Sequence, residues 1–202
     1  HELQTPIAIT INKLELLMED ETLSQAQLQQ LSEAKASLTR MATLNKSLLT
    51  LARIENRQYE EVASICFASL LRTLIEEYQD LIAFKEITLS ITEKSPFSVE
   101  MNKDLAVILL SNLLRNAIKY TYPKGKILIE IDKHVFSIAN EGKPTPLDSD
   151  KIFKRFHKGE QDSISTGLGL AIVKSIVDLY QHIRLQYVYK EEKHTFLIFN
   201  YQ

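Results

Sequence analysis

A loop with two glycines near the end of the chain has the residue types of an anion-binding site. It reads Thr166-Gly167-Leu168-Gly169-Leu170 and leads directly into a segment whose apolar spacing predicts a helix. Glycines let a backbone approach a bulky anion, and the first N–H groups of a helix have no partner within the helix. The loop therefore predicts phosphate binding, although a glycine pair before a helix also serves close packing.

A second set of polar residues falls on one face of a predicted helix over residues 102–120. Asn112, Asn116 and Lys119 are spaced i, i+4 and i+7, so their side chains share that face. Mg²⁺ prefers oxygen ligands and retains waters beside phosphates, which makes Asn116 the candidate metal ligand. Lys119 offers a point charge for a phosphoryl oxygen. The alternative is an ordinary solvated face.

Asn140, Glu141 and Gly142 follow a predicted strand and begin a long loop over residues 140–166. A side-chain acceptor at this place can take a hydrogen bond from the exocyclic amine of adenine. The alternative is a plain Asx turn, which Asn-x-Gly sequences often make.

The first residues of the chain add a nucleophile. An imidazole such as that of His1 is a good nucleophile near neutral pH when one ring nitrogen is free and the proton of the other is held. Glu2 can accept a ring proton, and Thr5, four residues on, shares the face of His1 and can position a water. Pro6 removes a helical N–H and predicts a kink beside the histidine. The alternative is an ordinary surface histidine.

Two helices must carry this histidine. Apolar residues recur every three or four positions over residues 1–19, and residues 24–57 contain neither Gly nor Pro, with Thr22 or Ser24 as the helix cap. A hairpin of two helices buries one stripe on each, so we expect a second copy to complete a four-helix bundle. The expected contact stripe of the second helix consists of Leu31, Ala34, Leu38, Met41, Asn45, Leu48 and Ala52.

The two helices differ in predicted length. A helix of ~34 residues is about 51 Å long, whereas the preceding one is about 29 Å. Because antiparallel partners normally run side by side, we expect about fifteen further residues of the first helix upstream of His1.

Beyond Arg57 the pattern changes to mixed helices and strands, so the fold class is α+β, with domains at residues 1–58 and 59–202. Ile152, Phe153 and Phe156 are expected to anchor the long loop. Strands are predicted at residues 62–67, 87–91, 97–100, 126–132, 135–139, 183–189 and 195–200, and helices at 68–84, 102–120 and 167–180.

Composition excludes several classes of protein. The net charge is −2 over 202 residues and no basic face is evident, which argues against a nucleic-acid partner. A single cysteine excludes an intrachain disulfide. No apolar run approaches the ~20 residues that span a bilayer, so a membrane association would need a parent region absent from this sequence.

Taken together, these motifs resemble those of bacterial sensor histidine kinases over essentially the whole chain. Residues 1–6 (HELQTP) resemble the H box and residues 112–121 (NLLRNAIKYT) the N box. Residues 140–144, 152–156 and 166–170 resemble the G1, F and G2 boxes, in the order of the family. The resemblance implies a dimerisation and histidine-phosphotransfer hairpin followed by an α/β sandwich of the Hsp90, gyrase and histidine kinase ATPase type.

The resemblance also implies residue roles. His1 would be the phosphoacceptor, Glu2 its general base, and Thr5 a helper in dephosphorylating a response regulator. Asn116 would bind Mg²⁺. The residues expected to contact ATP are Asn112, Lys119, Tyr120, Asn140, Gly142, Lys158 (where the family often has Arg), Thr166, Gly167, Leu168, Gly169 and Leu170. The expected partners are a response regulator receiver domain and a second copy of the chain, in a cytoplasmic fragment of an inner-membrane parent.

Three positions depart from the family pattern. Gln4 replaces a common Arg, Ser165 replaces a common Gly, and Asn140 replaces the usual adenine-binding Asp. A hydrogen bond to a charged acceptor is stronger than one to a neutral acceptor, so we expect Asn140→Asp to tighten ATP by up to about tenfold in calorimetry. Two rival functions stay open, a protein that acts mainly as a response-regulator phosphatase through Thr5, and a catalytically weak dimeric scaffold.

Overall fold

A computed structural model describes residue 2, residues 4–157 and residues 165–201 of the chain. Within those residues the chain forms six helices and seven strands. In chain order they are α1 (Gln4–Met18), α2 (Gln25–Glu55), β1 (Ala63–Cys66), α3 (Phe67–Glu77), α4 (Gln79–Phe84), β2 (Thr88–Glu93), β3 (Ser98–Met101), α5 (Lys103–Tyr120), β4 (Lys126–Asp132), β5 (Val135–Glu141), α6 (Gly169–Leu179), β6 (Ile183–Lys190) and β7 (Lys193–Asn200).

Helices α1 and α2 form the predicted hairpin. Ser24 begins α2 with a capping box, in which the Gln27 N–H donates to Ser24 Oγ at 3.3 Å and the Ser24 N–H donates to Gln27 Oε1 at 2.9 Å. Glu15 of α1 and Lys35 of α2 form an ion pair at 2.8 Å across the hairpin. The prediction of two helices joined by a short turn is confirmed, and of the two predicted caps, Thr22 and Ser24, the helix uses Ser24.

The predicted contact stripe of α2 is only partly covered within a single chain. Leu31 and Leu38 are half-buried, as are Ile7 and Ile11 of α1. In contrast, Met41 is 56% exposed, and Ala34, Leu48 and Ala52 are exposed as well. A single antiparallel partner covers one stripe of a helix, so the remaining apolar stripe faces outward in the isolated chain.

The last turns of α2 join the C-terminal part of the chain. Leu51 and Ile54 are fully buried and belong to the same hydrophobic core as the residues of α6. Glu55 forms an ion pair with Arg155 of the long loop. The hairpin is therefore attached to the rest of the molecule through its C-terminal end.

The C-terminal part is an α/β sandwich, as predicted. Its sheet has the strand order β2-β4-β5-β7-β6, in which β2 and β4 are parallel and the other neighbours are antiparallel. Strands β1 and β3 form a separate antiparallel pair. Phe67, Phe97 and Phe136 meet in the core with ring centroids 5.0 to 6.4 Å apart. This core supports α5 and α6, which contact each other and lie against the sheet.

Three predicted boundaries were wrong. The helix predicted over residues 68–84 is divided into α3 and α4 at Tyr78, whose N–H donates to Ile75 O, three residues back, in a tightened last turn. Strand β5 continues through Asn140 and Glu141 because both residues pair with β7. Helix α6 begins at Gly169 rather than Gly167, because Gly167 has a φ of 69°, which is not helical.

Candidate functional site

Helix α5 presents one apolar and one polar face. Asn102 caps its start by accepting hydrogen bonds from the N–H groups of Asp104 and Leu105, at 3.0 and 3.2 Å. The apolar stripe of the helix lies in the core, with Leu105, Leu109, Leu113 and Ile118 fully buried and Ile108 half-buried. On the other face, Asn112 and Asn116 are half-buried, and Lys119 and Tyr120 are exposed.

The glycine loop lies directly against this polar face. A Cβ atom on Gly169 would lie 3.0 Å from Asn112 Oδ1, so the absence of a side chain permits the close contact between α6 and α5. A Cβ atom on Gly167 would lie 2.8 Å from His157 O, and its φ of 69° favours glycine as well. Leu168 between them is fully buried and anchors the loop. The two predicted phosphate-binding features therefore belong to one site.

Between them lies a cavity of about 640 Å³. One wall is the polar face of α5, a second is the glycine loop, and a third is the first half of α2. Its lining comprises Met18, Ser32, Lys35, Ala36, Thr39, Arg40, Thr43, Asn112, Arg115, Asn116, Lys119, Tyr120, Ile152, His157, Ser165, Thr166, Gly167, Gly169 and Leu170.

A second cavity of about 510 Å³ continues from the first towards the end of β5. The two cavities share Asn116, Lys119, Tyr120, Ile152, His157 and Leu170. The second one adds Lys85, Thr121, Tyr122, Pro123, Asn140, Lys143, Leu147, His194 and Phe196. The pair has a basic part beside the glycine loop and a more enclosed part at the sheet, which is the shape that a polyphosphate with an attached flat ring requires.

Asn140 lies in the second cavity, one residue before the end of β5. It is 3% exposed, and its backbone pairs with Ile127 and His194 of the neighbouring strands. Its Nδ2 donates a long hydrogen bond of 3.5 Å to Glu141 O. A Cβ atom on Gly142 would lie 2.9 Å from Tyr120 O, which explains why glycine follows here.

A hydrogen-bonded chain beside Asn140 was not foreseen from the sequence. His194 Nε2 donates to Lys143 O at 2.8 Å, because a carbonyl oxygen can only accept. The other ring nitrogen, Nδ1, therefore accepts from the hydroxyl of Tyr187 at 2.8 Å, and that hydroxyl accepts from the Leu147 N–H at 3.0 Å. Burial raises the pKa of Tyr187, with the hydrogen bond from Leu147 acting in the opposite direction. The chain ties the start of the long loop to β6 and β7.

Lys85 was also missed. Its Nζ donates to the carbonyl oxygens of Ile118, Lys119 and Thr121 at 2.8, 3.0 and 2.9 Å. A cation at the C-terminus of a helix satisfies carbonyl groups that have no partner within the helix and interacts favourably with the helix dipole. Burial lowers the pKa of Lys85. The residue thus holds the end of α5, where Lys119 and Tyr120 line the cavities.

Several basic residues surround the first cavity beyond those predicted. Arg115 donates to Asn112 Oδ1 at 2.9 Å, while Lys35 and Arg40 approach from α2. The i+3 spacing of Arg115 from Asn112 is a signal that the sequence contained. No comparable signal placed α2 over the cavity, because that contact is between distant parts of the chain.

Some predicted residues lie elsewhere. His1 and Lys158 lie outside the described residues. Glu2 and Thr5 are exposed at the start of the hairpin and line neither cavity. In the long loop Ile152 is buried and Phe153 packs against Phe196 at 6.4 Å, as expected of loop anchors.

Phe156 is exposed, however, with a φ of 62°, so its expected role as an anchor was wrong. It lies in the turn that contacts Gly167, where its backbone rather than its ring makes the contact.

Within the described residues, no group of three or more His, Cys, Asp or Glu side chains is arranged to bind a metal ion. The magnesium site predicted at Asn116 uses an amide oxygen and is not tested by that finding. None of the helices in the described part of the chain combines the length and apolarity needed to cross a bilayer.

Two family models match the chain. "Histidine kinase-, DNA gyrase B-, and HSP90-like ATPase" matches residues 101–201, and "His Kinase A (phospho-acceptor) domain" matches residues 1–57. Heme sensor protein HssS of Staphylococcus aureus (strain Newman) is 31% identical over 199 residues, which represent 95% of this chain and 43% of HssS. This chain therefore spans less than half the length of that relative.

Solved structures share the fold. Full-length ShkA in complex with AMPPNP superimposes with a TM-score of 0.76 at 22% identity, covering 100% of this chain and 44% of ShkA. The histidine kinase ThkA in complex with the response regulator protein TrrA gives a TM-score of 0.66 at 22% identity, covering 100% of this chain and 59% of ThkA.

Proposed function

Because the chain belongs to the family of histidine kinase-, DNA gyrase B- and HSP90-like ATPases and carries a His Kinase A domain, we propose that it is an ATP-dependent protein histidine kinase. It phosphorylates His1 and passes the phosphoryl group to an aspartate on a response regulator receiver domain. The observation that carries this proposal is the pair of continuous cavities between the glycine loop, the amide face of α5 and the histidine-bearing hairpin.

The two cavities hold different parts of the nucleotide. The triphosphate occupies the first, where Gly167 and Gly169 leave room for it and Lys119 and Arg115 supply positive charge. The base occupies the second, against Asn140 and Leu170. Asn112, Tyr120 and Thr166 complete the contacts, and Lys158, which lies outside the described residues, is proposed as a further cation for the phosphates. Asn116 Oδ1 would hold Mg²⁺, an ion that prefers oxygen ligands and would supply charge neutralisation.

The chemical step is an in-line transfer of the terminal phosphoryl group. The bond from phosphorus to the β–γ bridging oxygen breaks, a bond from phosphorus to a ring nitrogen of His1 forms, and ADP leaves. Glu2 takes the ring proton. Such a transfer depends on positioning and on neutralising charge more than on covalent participation of the protein, which suits a site rich in amides and cations.

The hairpin and the sandwich must move relative to each other for this step. Met18, at the end of α1, lines the first cavity, whereas Gln4 at its start is about 21 Å away along the helix axis. His1 precedes Gln4. The segment at residues 56–59, between α2 and the sandwich, is the proposed hinge, and it coincides with the proposed domain boundary after residue 58.

The hairpin is also the proposed homodimer interface. Its outward apolar residues are Ile9, Leu16, Leu17, Met41, Leu48 and Leu49. An exposed apolar stripe of this length on a two-helix unit favours a four-helix bundle made with a second copy. The receiver domain of the response regulator is the second proposed partner, by analogy with ThkA, which was solved with TrrA. A membrane is involved only through a region outside this chain.

Incubation with γ-labelled ATP and Mg²⁺ tests the proposal. The wild-type chain is expected to acquire an acid-labile, alkali-stable label, and His1→Ala to acquire none. His134→Ala is the matched control, because His134 is exposed in the turn between β4 and β5, away from both cavities. Label that persists in His1→Ala, or that disappears in His134→Ala, contradicts the assignment of His1.

A further inference from the structure

The second cavity, which is proposed to hold the base, is lined by a side chain that is both a hydrogen-bond donor and an acceptor, that of Asn140. Asn140 is almost completely buried, yet within the described residues the only hydrogen bond of its side chain is the 3.5 Å contact from Nδ2 to Glu141 O. A carboxylate at this place would be an acceptor only, whereas an amide carries a carbonyl oxygen on one side and an NH₂ group on the other.

The groups around Asn140 leave its amide free to turn. The ring of His194 is held at both nitrogens, by Lys143 O and by the Tyr187 hydroxyl. The carboxylate of Glu141 accepts from the Lys126 N–H at 2.9 Å. Gly142 adds no side chain, and a Cβ there would lie 3.3 Å from Nδ2. Only the long contact with Glu141 O, at 3.5 Å, favours one orientation of the amide.

The two orientations match two classes of purine. With Oδ1 towards the cavity, Asn140 accepts a hydrogen bond from an exocyclic amine, which adenine carries at position 6. With Nδ2 towards the cavity, it donates to an exocyclic carbonyl, which hypoxanthine and guanine carry at the same position. A carboxylate would place an acceptor against that carbonyl and reject it, since both groups would lose their partner.

We propose that Asn140 makes the nucleotide site permissive, so that it binds 6-oxopurine as well as 6-aminopurine nucleoside triphosphates. The inference deepens the proposed kinase function and rests on it, because it assigns the base specificity of the same site. Inosine triphosphate is the appropriate probe, because it differs from ATP only at position 6 and the adjacent ring nitrogen and lacks the 2-amino group of guanine.

Calorimetric titration of the 202-residue chain with Mg·ATP and Mg·ITP measures this specificity without depending on phosphoryl transfer. For the wild type we expect the two dissociation constants to agree within about fivefold, and for Asn140→Asp the preference for ATP to rise by at least about tenfold. Thr145→Asp is the control, because it adds the same charge on an exposed residue of the adjoining loop. It should weaken the binding of both nucleotides similarly and leave the ratio of their dissociation constants unchanged.

The possible outcomes separate this inference from the kinase proposal. If the wild type binds ATP tightly and ITP more than about fivefold more weakly, the proposal of a permissive site is wrong, but the proposed kinase function stands. Failure to bind either nucleotide overturns both. If Asn140→Asp and Thr145→Asp raise the ratio of the ITP and ATP dissociation constants equally, the inference is also wrong, since the charge would then act from a distance. If Asn140→Asp does not fold, the wild-type ratio alone decides.

Discussion

The hairpin and the sandwich bury their apolar residues to very different extents. Helix α1 has no buried residue, and the two buried residues of α2, Leu51 and Ile54, lie where it meets the sandwich. In the sandwich, α5 alone buries eight residues, and Phe67, Phe97 and Phe136 form a three-ring cluster. The sandwich therefore has a core of its own, whereas the hairpin depends on other surfaces to cover its apolar stripes.

This difference fits a division of labour. Phosphate and base contacts require side chains held in fixed positions, which a packed core provides. A phosphoaccepting helix must instead meet the nucleotide at one moment and a receiver domain at another, and a sparsely packed hairpin exchanges such partners at low energetic cost. Spectroscopy can separate the two units, because all eight tyrosines and all eight phenylalanines lie in residues 59–202.

The largest expected effect comes from emptying the core of the sandwich. Phe97→Ala removes a buried ring that lies 5.0 Å from Phe67 and 6.4 Å from Phe136, and should lower the free energy of unfolding of the sandwich by about 3–5 kcal/mol. Urea denaturation followed by tyrosine fluorescence measures this change.

Met41→Ala is the counterpart in the hairpin. Met41 is exposed, so the tyrosine transition should move by less than about 0.5 kcal/mol, while sedimentation should show a weaker dimer. If both variants lower the free energy of the tyrosine-detected unfolding equally, the hairpin and the sandwich unfold as one unit and the comparison is wrong.

Local patterns of the sequence were sufficient for most of the fold. The cap at Ser24, the two faces of α5 and the alternation of β4, β6 and β7 depend on residues close together in the chain. Strands β6 and β7 were predicted even though the turn residues between them, Glu191 and Glu192, adopt positive φ values without glycine. The strands that flank the turn carried the signal.

The parts of the site that were missed depend on contacts between distant residues. Lys85 meets carbonyl groups 33 to 36 residues away, and Tyr187 meets Leu147 40 residues away. A lysine or tyrosine has many possible polar partners, and only the folded arrangement selects among them. The motifs therefore indicated the two walls formed by α5 and the glycine loop, but neither the α2 wall nor the residues that hold the walls in place.

The next-largest effect should distinguish the glycine-loop wall of the first cavity from its α2 wall. Gly167→Ala forces a side chain into the left-handed region and against the backbone of Phe156 and His157, so ATP should bind about tenfold or more weakly. Thr39, on the α2 wall, donates its hydroxyl to Lys35 O at 2.9 Å.

Thr39→Ala should accordingly change the affinity by no more than about twofold. Calorimetry with Mg·ATP measures both variants. A larger loss for Thr39→Ala than for Gly167→Ala would mean that the hairpin, and not the sandwich, provides the main binding wall.

A smaller effect is expected at the end of α5. Lys85→Met keeps most of the aliphatic stem but removes the ammonium group that caps three carbonyls, and should destabilise the sandwich by about 1–2 kcal/mol. Lys103→Met is the control, because Lys103 is exposed at the opposite end of the same helix and should change stability by less than about 0.5 kcal/mol. Equal losses for the two variants, in tyrosine-detected urea denaturation, would exclude a specific cap.

The smallest expected effect is a difference between the units at alkaline pH. Burial raises the pKa of Tyr187 and of Tyr180, so each contributes stability that is present below the tyrosine pKa of the unfolded chain, about 10, and is lost as the pH rises through the folded-state value. The sandwich should weaken as the pH rises above about 10, and because no tyrosine lies in residues 1–58, this mechanism does not act on the hairpin. Tyr187→Phe should make the loss of stability with rising pH shallower, whereas Tyr201→Phe, at a side chain that is 69% exposed, should not.

Urea midpoints from circular dichroism, measured across this pH range, give the slope of stability against pH. The sandwich transition is identified at pH 8 by its coincidence with tyrosine fluorescence. An unchanged slope in Tyr187→Phe would show that burial does not hold this phenol in its neutral form.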